Sequence, residues 1–557
     1  MLIATILLAM TSCNKKMGSL SSDYFTTTPE VLEVIGNQVP VTINGKFPEK
    51  YFNKKAIVTV TPVLTYDGGE TYGESATFQG EKVEGNNKTI SYKAGGLYTM
   101  KTSFAYKEAM KKSELFLEFN VKIGKKEFSI PRVKIADGVI STAMLSDAAT
   151  NSPAIAPDKF QRIIKEAQQA NILFLIQQAE LRASELKKQS INDLKERLNE
   201  ASKASNQKVT GVEISSYASP DGGIELNEKL ASRREQVSTD YIKKELKKAN
   251  VQTNIDGKFT AQDWDGFKEL VEKSNIQDKE IILRVLSMYS DPEEREREIK
   301  NISVAYKDLA DEILPQLRRS KLTLTVEIIG KSDDEILQLA KYTPTELNVE
   351  EILYAATLVD TDAEKAEIYK KTSELFPADF RAVNNLGVLA YKQGNFSEAE
   401  SFFNKAGKIS PNAAETNMNK ALISMLKDNV NDAQTFLGKA SGAAELDETL
   451  GLLYIKTGDY KKAVSSFGNV KSNNAALANI LAKDYNNAKS ILNAITSPDA
   501  TTNYLLAIVG ARTNNAALVL EGLKASASKD ITVARKALTD IEFAKFVKNA
   551  DFLKILE

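Results

Sequence analysis

The feature that most constrains the fold is an internal repetition from about residue 348 to the end of the chain. A stretch of roughly 34 residues recurs there, and each copy has the pattern of two helices with glycine or alanine at fixed positions. Small residues let paired helices approach closely, and larger residues fill the space between neighbouring copies. The repetition therefore predicts an all-α solenoid over residues 346–557, with about five or six helix pairs and an apolar cap at residues 541–556.

The clearest copy, residues 380–412, resembles the tetratricopeptide repeat (TPR). The residues that match its pattern are Leu386, Gly387, Tyr391, Gly394, Phe396, Ala399, Phe403, Ala406 and Pro411. A later copy matches through Gly451, Tyr454, Gly458, Tyr460, Ala463 and Phe467. The resemblance implies a concave groove that binds extended segments or helices of other envelope proteins. The alternative is a solenoid that packs only against the rest of its own chain.

A second constraining stretch, residues 211–242, has the pattern of a strand, a turn and a helix. Val212 and Ile214 alternate with polar residues, as in a half-buried strand. Pro220, Asp221 and two glycines then break the strand. The helix that follows brings Arg233 and Arg234 close to this turn, so hydroxyls, a carboxylate and two guanidiniums are expected in one small region.

These residues resemble the OmpA C-terminal-like domain, which holds the diaminopimelate of peptidoglycan. The matching residues are Asn227, Leu230, Arg234, Tyr241 and Ile242. Where the family has an aspartate, eight residues before Asn227, this chain has Ser219. The resemblance implies an α/β domain over residues 159–332 and a peptidoglycan site of Ser219, Asp221, Asn227 and Arg234. Arg234 would hold a carboxylate of the ligand, and Asp221 could replace the missing charge. The alternative for Arg234 is a surface salt bridge.

Within this domain the pattern predicts a helix at residues 159–169, a strand at 170–177, a helix at about 184–205 and a closing strand at 322–329. The third strand usual in the family is not expected, because residues 251–286 depart from its pattern. Trp264 lies in that stretch, as a cover for the ligand loop or as an ordinary core aromatic. Arg318 and Arg319 are expected to be a solvated strand end.

The N-terminal third has a β pattern. In residues 115–123 every second side chain is apolar, and the positions between them are Phe116, Glu118, Asn120 and Lys122, which is typical of an antiparallel strand with one largely wet face. Recurring Gly and Asn turn signals predict a β-sandwich over residues 29–143, acting as a spacer or binding a partner. Residues 144–158 are rich in Ser, Thr, Ala and Pro, so a linker is predicted there.

The start of the chain resembles a bacterial lipoprotein signal. Residues 2–12 are apolar but too few to span a bilayer, and they precede Cys13, the single cysteine. The resemblance implies a signal peptide at 1–12, lipidation of Cys13 and a tether at 13–28. No acidic cluster follows the cysteine, which favours the periplasmic face of the outer membrane. The alternative is a cytosolic chain with a chance apolar start.

Composition narrows the chemistry. The 557 residues include no histidine and one cysteine, so histidine triads, thiol catalysis and ordinary zinc sites are excluded. The net charge of −1 indicates no nucleic-acid surface. We therefore expect a non-enzymatic periplasmic scaffold with no cofactor or metal. Two alternatives stay open: an assembly subunit whose OmpA-like part has lost wall binding, and a carboxylate-dependent envelope enzyme.

Overall fold

The computed structural model describes residues 17–276, 279–301 and 303–557. The chain forms two compact units. One unit comprises the chain up to Pro157 together with Asp360–Glu557, and the other is the intervening segment Asp158–Val359. Cys13 and the predicted signal peptide lie outside the described residues.

The first part of the discontinuous unit is built of strands. They are β1 Phe25–Thr28, β2 Leu32–Glu33, β3 Gln38–Phe47, β4 Ala56–Tyr66, β5 Gly69–Tyr72, β6 Ala76–Gly80, β7 Lys88–Ile90, β8 Gly96–Ala105, β9 Ser113–Ile123, β10 Lys126–Asp137 and β11 Val139–Ile140. A three-stranded sheet has the order β1-β3-β8, and a larger sheet has the order β10-β9-β4-β6-β7 with β5 beside β4. Strand β11 pairs with β2. The prediction of an N-terminal β-rich region is confirmed.

The alternation in β9 explains how these sheets make a core. Leu115, Leu117, Phe119 and Val121 are completely buried, and the residues between them face outward or are only partly covered. Gly124, with φ of +60°, turns the chain into β10. The buried residues of β9 join those of β3, β4 and β8 in one hydrophobic core.

The predicted tether is wrong for the residues that the structure describes. Met17 and Leu20 are buried in the core of the β-rich region, and β1 pairs with β3 from Phe25 opposite Gly45 to Thr28 opposite Thr42. Burial of the apolar side chains of Met17 and Leu20 stabilises the fold, so residues 17–28 belong to the β-rich region.

The solenoid forms the rest of this unit. Its helices are α10 Asp362–Leu375, α11 Phe380–Lys392, α12 Phe396–Ile409, α13 Ala414–Leu426, α14 Val430–Leu437, α15 Leu446–Thr457, α16 Tyr460–Phe467, α17 Asn473–Leu481, α18 Tyr485–Asn493, α19 Ala500–Arg512, α20 Ala516–Lys529, α21 Ile531–Arg535 and α22 Ala550–Leu556. Five antiparallel pairs run from α11 to α20. Phe543, Phe552 and Leu556 are buried against the last of them.

Small residues set the spacing of the helix pairs. A Cβ atom on Gly387 would lie 2.6 Å from the ring of Phe403, and one on Gly451 would lie 2.7 Å from the ring of Phe467. Gly394, with φ of +77°, makes the turn between α11 and α12. Predicted packing residues Ala399, Phe403 and Ala406 are completely buried, Tyr391 is nearly so, Leu386 is half-buried and Pro411 is exposed.

Glu448, in the first turn of α15, gives a pH-dependent prediction. Burial and the negative charge of Glu445 raise the pKa of Glu448 above its usual 4.5. A raised carboxyl pKa contributes stability below the ordinary pKa, and this contribution is lost as pH rises through the folded-state pKa. Glu448→Gln should therefore stabilise the protein at pH 7 by about 0.5 kcal/mol, the size of a like-charge repulsion within a helix. The gain should vanish near pH 4, as measured by urea denaturation followed by circular dichroism. A gain that is larger at pH 4 than at pH 7 would contradict this sign.

The second unit has an α/β architecture. Its elements are β12 Ile163–Leu173, α1 Gln189–Lys203, β13 Gln207–Tyr217, α2 Ile224–Lys248, β14 Asn254–Thr260, α3 Trp264–Lys273, α4 Lys279–Met288, α5 Pro292–Asn301, α6 Ser303–Asp308, α7 Leu314–Leu317, β15 Arg319–Ile329, α8 Asp333–Tyr342 and α9 Val349–Ala355. A π-helical turn, Leu309–Ile313, joins α6 to α7. The sheet order is β12-β15-β13-β14, with β13 and β14 parallel.

Apolar residues of α1 and α2 pack against the sheet in one core, and α3 to α7 supply a second, smaller core. Among the described residues, each helix is too short or too polar to cross a membrane.

Two predictions for this unit are wrong. The predicted helix at 159–169 is largely strand β12, which pairs with β15 from Ile163 opposite Ile329 to Leu173 opposite Arg319. Residues 251–286 were not expected to contain the third strand usual in the family, but they do contain it as β14. Both strands form because a partner strand elsewhere satisfies their backbone groups, which overrides local propensity.

Candidate functional site

Three asparagines lie on the first helices of three solenoid pairs. Asn385 is on α11, Asn419 is 34 residues later on α13, and Asn474 is on α17. All three side chains are buried, although asparagine usually lies at the surface. A buried amide has one acceptor and two donors to satisfy, so the question is what these amides bind.

They bind the chain itself. Residues 141–157, here called the strap, run across these helices. The Oδ1 atom of Asn419 accepts from the N–H of Ala154 at 2.7 Å, and its Nδ2 donates to the carbonyl of the same residue at 2.8 Å. Asn385 brackets Ala156 in the same way, at 2.8 and 2.9 Å. Each side-chain amide thus forms, with one residue of the strap, the two backbone hydrogen bonds that a neighbouring β-strand would form.

The first half of the strap is held by the same device. Asn474 brackets Asp147, with 3.0 Å to its N–H and 2.7 Å to its carbonyl. The hydroxyl of Tyr391 donates to the carbonyl of Ala148 at 2.6 Å. Here the strap is coiled into two 3-10 turns, Thr142–Leu145 and Ala148–Thr150. Ala148 and Ala154 belong to the same hydrophobic core as the solenoid helices.

The prediction of a plain linker at residues 144–158 therefore needs correction: up to Pro157 this segment is ordered by the solenoid. It supports the alternative in which the solenoid packs against its own chain. The signal in the sequence was the recurrence of asparagine at 385 and 419, one repeat apart. The proline-flanked alternation of Ala154 and Ala156 was the matching signal in the strap.

Asn419→Ala should lower the free energy of unfolding by about 2–3 kcal/mol, because it leaves the N–H of Ala154 buried without its acceptor. Amide hydrogen exchange at Ala154 should accelerate as well. The matched control is Asn404→Ala, an exposed asparagine on α12, which should change stability by less than about 0.5 kcal/mol. If the two variants unfold alike in urea, the strap is not held as described.

A buried charged group anchors the start of the strap. It consists of Glu33, Thr142, Arg512 and Glu542, and is called here the charged node. Arg512 donates to Glu542 at 2.6 Å and to Glu33 at 2.8 Å, and Thr142 donates to Glu542 at 2.5 Å. The node therefore joins strand β2, the strap, helix α19 and the C-terminal cap. Burial raises the pKa of Glu542, although Arg512 and Thr142 oppose that shift.

Three of the four residues predicted to bind peptidoglycan, Ser219, Asp221 and Asn227, meet at the loop between β13 and α2. The Nδ2 atom of Asn227 donates to the carbonyls of Ser219 and Gly222, both at 2.9 Å. The hydroxyl of Ser219 donates to the carboxylate of Asp221. Asn227 and Ser219 are both buried. The side chains thus pair with one another and with the loop backbone.

Arg318 completes this group, and the expectation that it lies at a solvated strand end is wrong. Its guanidinium forms an ion pair with Asp221 at 2.9 Å and donates to the hydroxyl of Ser219 at 3.1 Å. It is buried because the antiparallel pairing of β15 with β13 brings the start of β15 beside the loop. Sequence reasoning missed it, since 97 residues separate it from Asp221.

Arg234 is neither an accessible ligand-binding residue nor part of a surface salt bridge, because it is buried. Its side chain is 1% exposed, and it donates to the carbonyls of Gln178, Tyr217 and Leu175 at 3.0, 2.9 and 3.3 Å. The guanidinium also lies over the ring of Phe174. Burial and the nearby charge of Arg318 lower the pKa of Arg234 to about 10. Arg233, its neighbour, is exposed.

Trp264 packs beside this loop. Its ring lies edge-on to Phe267 in the smaller core of the unit. Its Nε1 donates to Gln262, whose amide donates to the carbonyl of Gly222. Trp264 is therefore a core aromatic that also braces the loop. Arg319 pairs with buried Asp263 at 3.0 Å, so it too is not solvated.

Among the residues that the structure describes, no group of three or more His, Cys, Asp or Glu side chains could hold a metal ion.

Family models agree with the repeat pattern in the solenoid. The tetratricopeptide repeat model matches residues 380–413, and a second model of the same repeat matches residues 448–471. These segments are α11–α12 and the third helix pair, α15–α16. The chain therefore contains tetratricopeptide repeats, and a general role in protein–protein interaction follows. No curated protein matches the chain.

Solved TPR structures are similar to this chain at low identity. A TPR protein from Parabacteroides merdae is 12% identical, with 52% of this chain and 98% of that one covered and a TM-score of 0.25. YrrB, described as a TPR protein with an unusual peptide-binding site, is 21% identical over 31% and 98%, with a TM-score of 0.24. PilF of Pseudomonas aeruginosa is 16% identical over 38% and 96%, with a TM-score of 0.26. At such TM-scores these likenesses add nothing to the identification of the repeats.

Proposed function

We propose that this chain is a non-enzymatic scaffold of the bacterial envelope, and that its TPR solenoid binds other proteins. The observation that supports it best is the pair of bracketing amides, Asn385 and Asn419. Each side chain forms hydrogen bonds with the N–H and the carbonyl of one residue in an extended segment. Such a surface recognises polypeptide backbone, and it offers no group that would perform chemistry on it.

A partner can be sought at a surface that the strap leaves open. A cavity of about 630 Å³ between α10, α11 and α12 is lined by Leu386, Leu389 and Phe402, with charged residues around them. A photo-crosslinking amino acid at Phe402 should yield discrete adducts with envelope proteins in cells. The same amino acid at Asp67, in the turn between β4 and β5, is the control. Absence of adducts at Phe402 and at further positions along the solenoid would overturn the scaffold function.

We place the scaffold at the outer membrane, facing the periplasm, through lipidation of Cys13. The support is the apolar segment that ends at this single cysteine. Cells fed a clickable palmitate analogue should label the wild-type chain and not the Cys13→Ser variant. Equal labelling of both, or of neither, would argue against the anchor.

The α/β unit is proposed to be an OmpA-like module that serves assembly and no longer holds peptidoglycan. The polar groups that would hold the ligand are already paired within the protein. Arg234 donates to three backbone carbonyls, and Asp221 is paired with Arg318 and Ser219. A diaminopimelate ligand would have to replace these internal bonds with equally good ones, and a buried arginine gains little from such an exchange.

Peptidoglycan association remains a second candidate, because Ser219, Asp221 and Asn227 do meet at one loop. Co-sedimentation of the full chain with purified sacculi separates the two. We expect the protein to stay in the supernatant. Pelleting that is abolished by Asp221→Asn, and retained by the exposed control Glu228→Gln, would establish wall binding instead. Circular dichroism of each variant shows whether it is folded.

A further inference from the structure

The surface of α11 and α13 that carries Asn384, Asn385, Thr416 and Asn419 is called here the groove. We propose that the strap is a displaceable occupant of the groove, so that the scaffold is self-blocked. The partner segment that replaces it is an extended, uncharged peptide with small residues at alternate positions. This inference rests on the proposed protein-binding function and adds the ligand and its regulation.

The bracketing contacts themselves do not depend on the strap being part of the same chain. The hydrogen bonds that Asn385 and Asn419 form with the strap involve only the N–H and carbonyl of Ala156 and Ala154, which every residue except proline carries. Any extended segment that enters the groove in this register can make the same four hydrogen bonds.

The groove selects peptide segments by the size of their inward-facing side chains. The Ala154 and Ala156 side chains are 0% and 1% exposed, whereas Ile155 between them is 46% exposed. In an extended chain successive side chains point to opposite sides, so the groove takes residues i and i+2 and leaves i+1 in solvent. A larger side chain at either inward position would have to displace packed helix residues. The groove therefore favours the pattern small-x-small.

The groove floor also excludes charge. Asn384 lies beneath Ala154, accepts from Thr416 and Asn419 at 3.0 and 3.1 Å, and donates to the Ala154 carbonyl at 3.0 Å. These groups are neutral, buried and engaged with one another. A charged side chain placed inward would be desolvated without a counter-ion, which is strongly unfavourable.

The strap is an imperfect occupant. The Nδ2 atom of Asn151 is buried and has no hydrogen-bond partner among the described residues. An unsatisfied buried donor weakens the hold of the segment that carries it. The strap stays bound because it is tethered at both ends, which gives it the high effective concentration of an intramolecular ligand. A free peptide must overcome that advantage, so it binds well only when the strap is weakened.

The test uses the purified full chain and a fluorescent peptide with the sequence of residues 152–157, followed by fluorescence anisotropy. Binding to the double variant Ala154→Glu, Ala156→Glu should be at least 10-fold tighter than binding to wild type. Adding Asn385→Ala and Asn419→Ala to that variant should abolish the gain. A peptide with glutamate at both alanine positions is the matched control and should not bind. If the peptide binds the folded double variant no better than wild type, the proposal is overturned.

Hydrogen exchange of the wild-type chain keeps the proposal testable if the double variant does not fold. The amides of Ala154 and Ala156 should exchange faster than those in the centres of α11 and α13, through opening of the strap alone. Exchange of these amides only together with the surrounding helices would overturn it. Adducts formed at Phe402 while the peptide fails to bind would reject this inference and leave the scaffold function standing. Absence of adducts at Phe402 and at the further solenoid positions would reject the function itself.

Discussion

Arg234→Met should lower the free energy of unfolding of the α/β unit by about 3–5 kcal/mol, because it removes at once three partly buried hydrogen bonds that a buried guanidinium donates to backbone carbonyls. Trp264, the single tryptophan of the chain, lies in this unit, so its fluorescence in urea reports the unfolding of this unit. An arginine that served mainly as an exposed ligand-binding group would cost less than about 0.5 kcal/mol when replaced. The measurement therefore separates a structural role for Arg234 from a binding role.

Arg233→Met is the matched control for this prediction. Arg233 is adjacent in sequence, sits on the same helix and is exposed. Its replacement should leave the urea midpoint nearly unchanged. Equal effects of the two substitutions would contradict the hydrogen bonding described for Arg234, and would reopen its assignment as a ligand-binding residue.

Arg512→Met should destabilise the discontinuous unit by a similar amount, about 3–5 kcal/mol. The substitution leaves the buried side-chain carboxylate of Glu542, and the partly buried one of Glu33, without a counter-ion, and breaking a buried pair costs more than the pair itself contributes. Circular dichroism at 222 nm should report the loss, because the solenoid contains most of the helix of this unit. The fluorescence of Trp264 should not change in the same range of urea, since it lies in the other unit.

Two further variants control the Arg512 prediction. Lys524→Met removes an exposed cation from α20 and should cost less than about 0.5 kcal/mol. Glu542→Gln should cost less than Arg512→Met, because burial already disfavours the charged form of Glu542. A larger loss of unfolding free energy for Glu542→Gln than for Arg512→Met would show that the carboxylate of Glu542 contributes more to stability than the guanidinium of Arg512.

Features set by nearby residues were predictable from the sequence. The alternation of residues 115–123 predicts β9, since its period places every second side chain in the core. The small residues Gly387 and Ala399 predict the close packing of α11 on α12, because a Cβ atom on Gly387 would collide with the ring of Phe403 and Ala399 is completely buried.

Features set by distant partners were not predictable. Strand β12 has a helical pattern locally, and it is a strand because β15 pairs along its whole length. Arg318 looked like a solvated strand end until the register of β15 placed it beside Asp221. The strap has the composition of a linker, and its fixed path comes from contacts with the solenoid, chiefly the amides of α11, α13 and α17.

The strap also sets an order of events when the protein is made. Asp147 and Asn474, which bind each other, are 327 residues apart, and the whole of the α/β unit is encoded between them. At roughly 5–20 residues per second, the ribosome needs about 16–65 s to travel that distance. During the first part of this time, until Asn385 and Asn419 have been made, the β-rich region has emerged and the strap has no groove to enter. The α/β unit can fold in that interval, so a chain stalled before residue 385 would display an unprotected strap as a mark of incomplete synthesis.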